Sequence, residues 1–361
     1  MRTIHRRVSV PVMAASVALA LAGCGSDDEG GSGSGGSGES SKITYSLPTP
    51  ESLLFYPPLV AEELGFFEQE GVEAEFVTAG EEIPSTALVE NGDVDIAMAD
   101  IDELVISHAQ GGTQKVPFSP QHANTAGTVV PEGSAIQDFS ELTGKTVGLA
   151  SEEDTAQVEA QLLAAGLSGD DIETVVVGTS GALIKKTFDD GEIDAYVGAR
   201  SDFTAIEATG TPLRNITPED VQAIDGNPTA VMPETLESKR DALVAFFRAW
   251  SMGQYVGIEH PDVVEQIVRE RVPAEWRNED VAKAALEGSI ELMVPDDPER
   301  IGDVRPEVWE TGQDLLASVG IIEEKVDIDN ILDDSLIEEI NDFDRAEVDE
   351  AVEKWQADNG G

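Results

Sequence analysis

The sequence predicts an α/β protein with two lobes, each a mostly parallel sheet flanked by helices, and a helical C-terminal extension. Three observations lead to this fold class. The chain has 361 residues and is 40% hydrophobic, which suits two core-forming domains. Short apolar segments alternate with helical segments from residue 43 to about residue 198. After residue 227 the apolar residues recur at spacings of three and four, which is typical of helices.

Six short apolar segments predict the strands, and most of them end at a glycine, a proline or a polar residue. They are residues 43–47, 72–77, 95–99, 146–150, 175–177 and 194–198. The intervening segments predict helices; Pro57 and Pro58 suit the start of the first one, and Gly65 suits its end. The predicted helices are residues 57–64, 84–90, 139–142, 155–165, a segment ending near 188, and 238–256, 261–272, 280–292, 306–319 and 346–356.

One short pattern occurs twice. Residues 91–97 read Asn-Gly-Asp-Val-Asp-Ile-Ala, and residues 190–196 read Asp-Gly-Glu-Ile-Asp-Ala-Tyr. Each combines a helix end, a glycine turn and a short buried strand. The repetition predicts two lobes of similar construction.

The first 23 residues have the layout of a secretory signal peptide, with early arginines and a short apolar core. Leu21-Ala22-Gly23-Cys24 resembles the lipobox of bacterial lipoproteins, which implies cleavage before Cys24 and lipidation of that residue. Residues 24–41 are rich in Gly, Ser and acidic residues, so we expect a flexible tether. The predicted location is extracytoplasmic, with a lipid anchor in the cell membrane.

The charge is strongly acidic, with 72 Asp plus Glu against 22 Lys plus Arg. A formal net charge of −50 argues against nucleic-acid binding and against a basic membrane-binding patch. A strongly acidic surface suits a protein that works in concentrated salt, where counterions screen the repulsion between the carboxylates. The alternative is that the protein has an acidic surface but does not work in concentrated salt.

Four segments resemble the solute-binding proteins of ABC importers, in the family that includes binders of aliphatic sulfonates, taurine, nitrate and thiamine pyrimidine precursors. They are residues 56–72, 88–95, 142–148 and 188–198. The resemblance implies a type II periplasmic-binding-protein clamp, with lobe 1 formed by residues 43–125 plus 226–361 and lobe 2 by residues 126–225. It also implies a monomer that needs no cofactor and works with an ABC permease and its ATPase.

In open α/β sheets, ligands lie beyond the carboxyl ends of the strands, where loops lead into helix N-termini. This rule places the predicted solute site between the two lobes. The candidate ligand-binding residues are Pro48, Thr49, Tyr56, Thr78, Gly80, Ser85, Asp100, Asp102, His122, Asn124, Ser151, Glu152, Asp154, Thr155, Arg200, Asp202 and Asn227.

The carboxylates among these candidates favour a solute with hydrogen-bond donors, such as a thiamine pyrimidine precursor or a similar nitrogen heterocycle. Helix capping would explain the same carboxylates. A sulfonate, taurine or nitrate is the alternative solute, with Arg200 as the main cation. Tyr56 could stack on a ring or lie in the core, and His122 could contact the solute or serve only in the hinge.

The alternative to a binding protein is an enzyme that acts on a pyrimidine-like substrate. The sequence has no Gly-x-Ser-x-Gly, His-Glu-x-x-His or phosphate-loop motif, and its single cysteine cannot form a thiolate metal cluster. We therefore expect a binding protein without catalytic residues or a metal site.

Overall fold

The computed structural model describes residues 41–49, 51–78, 83–152, 154–318 and 320–359. These residues belong to one compact unit. Cys24, the predicted signal peptide and nearly all of the predicted tether lie outside the described residues, as does Gly80. None of the helices within the described ranges is both long and apolar enough to cross a membrane.

The strands form two sheets. They are β1 (Ser41–Leu47), β2 (Val72–Thr78), β3 (Ile96–Met98), β4 (Ala126–Pro131), β5 (Thr146–Leu149), β6 (Glu173–Val176), β7 (Ala195–Ala199), β8 (Leu213–Asn215) and β9 (Thr229–Val231).

Both sheets repeat one strand order. The first sheet runs β2-β1-β3-β9, with β1 parallel to β2 and β3 and with β9 antiparallel to β3. The second sheet runs β6-β5-β7-β4-β8, with β5 parallel to β6 and β7 and with β4 antiparallel to β7. The predicted fold class, two lobes with mostly parallel sheets flanked by helices, is confirmed.

The helices surround these sheets. They are α1 (Tyr56–Glu63), α2 (Phe66–Gln69), α3 (Ser85–Glu90), α4 (Ile101–Ala109), α5 (Asp154–Ala164), α6 (Gly181–Asp189), α7 (Arg200–Glu207), α8 (Glu219–Gln222), α9 (Pro233–Ser238), α10 (Arg240–Glu259), α11 (Pro261–Arg271), α12 (Glu279–Leu292), α13 (Pro306–Ser318), α14 (Ile337–Ile340) and α15 (Arg345–Asn359).

Helices α5–α8 accompany the second sheet and form the second lobe with it, whereas the other helices form the first lobe with the first sheet. The chain passes between the lobes twice, through a first crossover (residues 119–125) and a second crossover (residues 223–228). Away from the crossovers, α7 packs against α12 and α5 packs against α13. Helix α8 also contacts α13, so the lobes meet where α7 packs against α12 and where α13 packs against α5 and α8.

The sequence pattern that occurs twice makes the same hydrogen bond in both lobes. Asp95 precedes β3, and its carboxylate accepts the N–H of Thr44 in β1 at 3.0 Å. Asp194 precedes β7, and its carboxylate accepts the N–H of Thr146 in β5 at 3.0 Å. Each carboxylate also pairs with a lysine, Lys239 for Asp95 and Lys145 for Asp194. The two aspartates thus fasten the equivalent strand pair in each lobe.

The main core lies where the C-terminal helices cover the first sheet. Tyr45 of β1 is fully buried and packs against Phe246 and Trp250 of α10, at ring-centroid distances of 5.8 and 5.5 Å. Full burial of an apolar side chain such as Phe246 contributes about 1.5–3 kcal/mol. The predicted C-terminal helices therefore complete the first lobe.

Sequence analysis missed β4, β8 and β9. Strand β9 is only three residues long and lies between Pro228 and Pro233, so its sequence looks like a turn. Strand β4 pairs with β7 and β8, whose residues lie about 70–85 positions later in the chain. Pairing at that separation leaves no local pattern. The helix predicted at residues 238–256 is α10, which begins at Arg240, and the short helix α9 before it was not predicted.

Candidate functional site

Two neighbouring cavities lie between the lobes. The larger cavity has a volume of about 420 Å³ and is lined by the start of α4, by α13 and by residues of α5 and both crossovers. The smaller cavity, of about 180 Å³, lies beside α7 and α12. Thr125 of the first crossover lines both of them. The larger cavity falls within the usual size range of small-molecule sites.

The two cavities meet at a hydrogen bond between Asp100 and Asn227. Asp100 follows β3 and is the residue before α4, but its side chain does not cap that helix. Its Oδ1 instead accepts a hydrogen bond from Nδ2 of Asn227 at 2.5 Å. Asp100 lines the larger cavity and Asn227 lines the smaller one. This pair joins the first lobe to the second crossover.

Asp100 has an unusual protonation equilibrium. Asp100 is exposed at the mouth of the larger cavity, with Asp102 and Glu103 next to it in the chain. Desolvation, together with the nearby charges of Asp102 and Glu103, raises the pKa of Asp100 to about 6. The hydrogen bond from Asn227 acts in the opposite direction. A ligand that donates hydrogen bonds to this carboxylate, or carries a positive charge, would favour its ionised form.

Asp102 also lines the larger cavity, where its exposed carboxylate accepts only the N–H of Glu103 among the described contacts. The Glu103 carboxylate is engaged elsewhere, since it accepts both the N–H and the hydroxyl of Thr86 in α3. Glu103 therefore fixes α4 against α3, whereas Asp100 and Asp102 face the cavity.

Asn124 connects the first crossover to α8 at the edge of the larger cavity. Its Nδ2 donates to the carbonyl of Val221 at 3.3 Å, and its Oδ1 accepts the N–H of Ala126 at 3.0 Å. Its backbone N–H donates to the carbonyl of Gln222. With its side chain engaged in this way, Asn124 shapes the cavity wall.

The rest of the larger cavity is mainly apolar. Its wall combines aliphatic residues of α4, α8, α13 and the segments that follow α8 and α13 with small residues of β4 and α5. The lining aliphatic and small side chains are Ile101, Ala126, Ala160, Val221, Ile224, Leu315, Leu316 and Ile321. The cavity thus has one acidic end and an apolar body, which suits a flat ring with amino substituents.

His122 is buried in the first crossover. Neither of its ring nitrogens has a hydrogen-bond partner within the part of the chain that the structure describes. Desolvation, reinforced by the charge of Arg305, lowers the pKa of His122 to about 4. The imidazole is therefore neutral at pH 7, and it lines neither cavity.

Arg305 fastens both crossovers to the first lobe. Its guanidinium binds the carboxylate of Asp225, which has no exposed side-chain surface, and it also binds Asp296. It donates to the backbone carbonyls of His122 at 2.9 Å and Ala223 at 3.0 Å. Arg305 was not among the predicted site residues, because His122, Ala223 and Asp225 lie some 80 residues or more from it in the sequence.

Arg200 lines the smaller cavity from the second lobe. It is the first residue of α7, and its guanidinium binds the carboxylate of Glu291 in α12 of the first lobe. The main predicted cation is therefore already paired with a carboxylate.

Four polar candidates lie at the start of α5. The Asp154 carboxylate accepts the N–H of Ser151 at 2.6 Å and its hydroxyl at 3.1 Å. The Thr155 hydroxyl donates to the carbonyl of Glu152 at 2.8 Å. These contacts organise the turn into α5, and none of the four residues lines either cavity.

Tyr56 and Asp202 need correction as ligand contacts. Tyr56 has no exposed surface and lies in the core of the first lobe, where its hydroxyl donates to the carbonyl of Gln254. Asp202 is buried, and its carboxylate accepts the N–H of Ala199 and the hydroxyl of Tyr196. Both residues serve the structure, because local sequence patterns for packing or capping resemble those for ligand contact.

The remaining described candidates lie at the ends of strands or helices and line neither cavity. Pro48, Thr49 and Thr78 are exposed, and Ser85 is half-buried at the start of α3. Gly80 lies outside the described residues. Within the described ranges, no group of His, Cys, Asp and Glu is arranged to hold a metal ion.

The chain matches a family model described as NMT1/THI5 like over residues 54–264, which is more than half of its length. Over 159 residues it is 25% identical to the 4-amino-5-hydroxymethyl-2-methylpyrimidine phosphate synthase of Schizosaccharomyces pombe, covering 44% of this chain and 45% of that protein. The chain thus spans less than half the length of the first curated relatives that it matches.

Among solved structures, the periplasmic aliphatic sulphonate binding protein SsuA of Escherichia coli has a TM-score of 0.60 and 15% identity. The structural match covers 81% of this chain and 91% of the SsuA chain. The desulfurization enzyme DSZB has a TM-score of 0.54 and 15% identity, over 87% of this chain and 99% of its own. At these identities the likeness concerns the fold, which is that of periplasmic binding proteins. Because the family model matches more than half of the chain, the protein belongs to the NMT1/THI5-like family.

Proposed function

We propose that this protein is an extracytoplasmic receptor that captures a small organic solute between its two lobes and delivers it to an ABC importer. The favoured solute is a thiamine pyrimidine precursor or a similar nitrogen heterocycle. Family membership and the periplasmic-binding-protein fold support the binding role. The observation that carries the proposal is the larger cavity, in which Asp100 and Asp102 face an apolar wall.

The chemistry of this cavity favours donors on the solute. Carboxylates accept hydrogen bonds from amino groups, and the apolar wall can cover the faces of a ring. The described lining of the larger cavity includes no lysine or arginine. A sulfonate or nitrate would place its negative charge beside Asp100 and Asp102, which is unfavourable.

Solute capture would couple to movement of the lobes. A solute in the larger cavity can touch Asp100 of the first lobe and Gln157 of the second lobe together. Because it would gain both sets of contacts only when the lobes are close, binding shifts the population toward the closed form. The closed form would then dock on a permease whose ATPase acts on the other side of the membrane.

The location belongs to the same proposal. The signal-peptide pattern and Cys24 predict a lipid-anchored monomer outside the cytoplasm, tethered by residues 24–41. The role is binding without turnover. The relatives at 25–27% identity are named as synthases. The alternative to be tested is therefore that this protein chemically converts a pyrimidine-like compound.

A thermal-shift screen tests the function. The purified protein is heated in low and high salt with an aminopyrimidine, a riboflavin-like ring, taurine, an alkyl sulfonate and nitrate. A hundredfold excess of ligand over its dissociation constant stabilises the folded state by about 2.7 kcal/mol. We expect a shift with the heterocycle, recovery of the unchanged compound, loss of the shift in Asp100→Asn, and an unchanged shift in the exposed control Asp93→Asn. A shift with anions only, or conversion of the heterocycle, would contradict the proposal.

A further inference from the structure

The only described side-chain ion pair between α7 and α12 joins the two lobes directly. Arg200 begins α7 in the second lobe, and its guanidinium binds the carboxylate of Glu291 near the end of α12 in the first lobe. The Glu291 side chain is 68% exposed and that of Arg200 is 36% exposed. The pair thus lies at the rim of the smaller cavity, where solvent can reach it.

Arg200 is also attached to the first crossover. Its backbone N–H donates to the carbonyl of Thr125 at 2.9 Å. Thr125 lines both cavities. The side chain of Arg200 therefore ties the second lobe to α12, while its backbone ties the start of α7 to the segment that connects the lobes.

The surface of α12 accommodates the arginine closely. A Cβ atom built on Gly288 would lie 2.6 Å from Nε of Arg200, and Ser289 and Ala285 line the smaller cavity beside it. The absence of a side chain at residue 288 lets the guanidinium cross this helix and reach Glu291. The contact therefore depends on how closely the two lobes approach.

We propose that Arg200 and Glu291 form a latch that stabilises the closed arrangement of the lobes, and that Arg200 is a positioning residue and not an anion receptor. The guanidinium charge is neutralised by Glu291 when the lobes meet, so a solute anion would have to compete with that carboxylate. The role in solute retention rests on the proposed function, but the latch itself can be measured without a solute.

The two roles of Arg200 make opposite predictions for Glu291. If the pair is a latch, Arg200→Gln and Glu291→Gln remove the same interaction, and the double variant loses nothing more. If Arg200 binds solute anions, Glu291→Gln frees it and tightens anion binding, whereas Arg200→Gln weakens that binding.

The first experiment measures the distance between the lobes in the solute-free protein. Spin labels are placed at Glu68→Cys in α2 and Leu183→Cys in α6, with Cys24→Ser replacing the single native cysteine of the sequence. A partly exposed ion pair is expected to change the ratio of closed to open molecules roughly two- to fivefold. We expect this ratio to fall by the same factor in Arg200→Gln, in Glu291→Gln and in the double variant. We also expect 1 M salt to reduce the difference between these variants and the parent protein.

Arg240→Gln and Glu339→Gln are the matched controls, because Arg240 and Glu339 form a similarly exposed pair within the first lobe. They should leave the distance distribution unchanged. An unchanged distribution in both latch variants would overturn the latch.

A second experiment titrates methanesulfonate into the parent protein and the single variants. The latch predicts that Glu291→Gln does not tighten sulfonate binding. Tighter binding in Glu291→Gln together with its loss in Arg200→Gln would overturn the proposal and assign Arg200 to anion recognition. Failure of every heterocycle to bind would overturn the proposed function and leave the distance measurement valid.

Discussion

The Nδ2 atom of Asn227 lies 2.5 Å from Oδ1 of Asp100, so the second crossover is hydrogen-bonded to the start of α4 at the place where the two cavities meet. This bond uses one oxygen of the carboxylate and orients the group. A solute in the larger cavity would therefore meet an acceptor that is already positioned, which reduces the entropic cost of binding.

The affinity for an amino-substituted ring should rise with pH. Because the pKa of Asp100 is raised to about 6, the carboxylate is largely protonated at pH 5 and largely ionised at pH 7. The ionised form accepts hydrogen bonds from amino groups. Because the ionised fraction of a group with a pKa of about 6 rises roughly tenfold from pH 5 to pH 7, we expect up to roughly tenfold tighter binding at pH 7. Calorimetric titration at both pH values measures this change, and Asp100→Asn should abolish it.

The same pKa predicts a trend in stability. Between about pH 4 and pH 6 the folded protein retains a proton on Asp100 that the unfolded chain has released. The contribution of Asp100 to the free energy of unfolding therefore falls as pH rises through this window. Denaturant unfolding at several pH values should show a smaller decline in Asp100→Asn than in the parent protein. Identical pH dependence in both proteins would contradict the raised pKa.

Arg305→Gln should destabilise the fold by about 3 kcal/mol or more, because it leaves the buried carboxylate of Asp225 without its cationic partner. Denaturant unfolding measures the loss. Arg271→Gln is the control, since Arg271 pairs with the partly exposed Glu62 and should cost less than about 1 kcal/mol. Equal effects of the two substitutions would show that Arg305 does not secure the crossovers.

Tyr56→Phe should leave solute affinity within about twofold of the parent value, because Tyr56 lies in the core. Its hydroxyl makes one hydrogen bond, to the carbonyl of Gln254, so stability should fall by about 1 kcal/mol. Calorimetry and unfolding measured on the same variant separate the two effects. A large loss of affinity with unchanged stability would return Tyr56 to the ligand site.

Asp95→Ala and Asp194→Ala should destabilise the protein by similar amounts, about 1–3 kcal/mol each, because each removes a charge-assisted hydrogen bond to a neighbouring strand. Asp189→Ala is the control, since the one ion pair that the described residues give Asp189 is an exposed pair with Lys185 within α6. Thermal unfolding compares the three variants. If the control were as unstable as the other two, the shared role of Asp95 and Asp194 would be wrong.

The sequence predicted the features that depend on neighbouring residues. The glycine turns before Asp95 and Asp194 are local patterns, and the structure gives both aspartates the same role. The rule that ligands lie beyond the carboxyl ends of strands selected Asp100, and its hydrogen-bond partner Asn227 was also among the predicted candidates.

Features set by distant packing were not predictable in this way. Leu316 and Ile321 approach Asp100 only because α13 packs against α4, more than 200 residues later in the chain. Asp202 follows a strand just as Asp100 does, but its carboxylate turns inward to Ala199 and Tyr196. Sequence position alone cannot distinguish a capping carboxylate from one that faces a cavity.

The central claim is that the larger cavity binds a small solute through Asp100 and does not transform it. Isothermal titration of a 4-aminopyrimidine into the parent protein and Asp100→Asn, followed by mass spectrometry of the recovered compound, tests this claim most directly. We expect saturable binding at one site per chain, affinity at least tenfold weaker in Asp100→Asn, and an unchanged compound. Equal binding by both proteins, or conversion of the compound, would contradict the account.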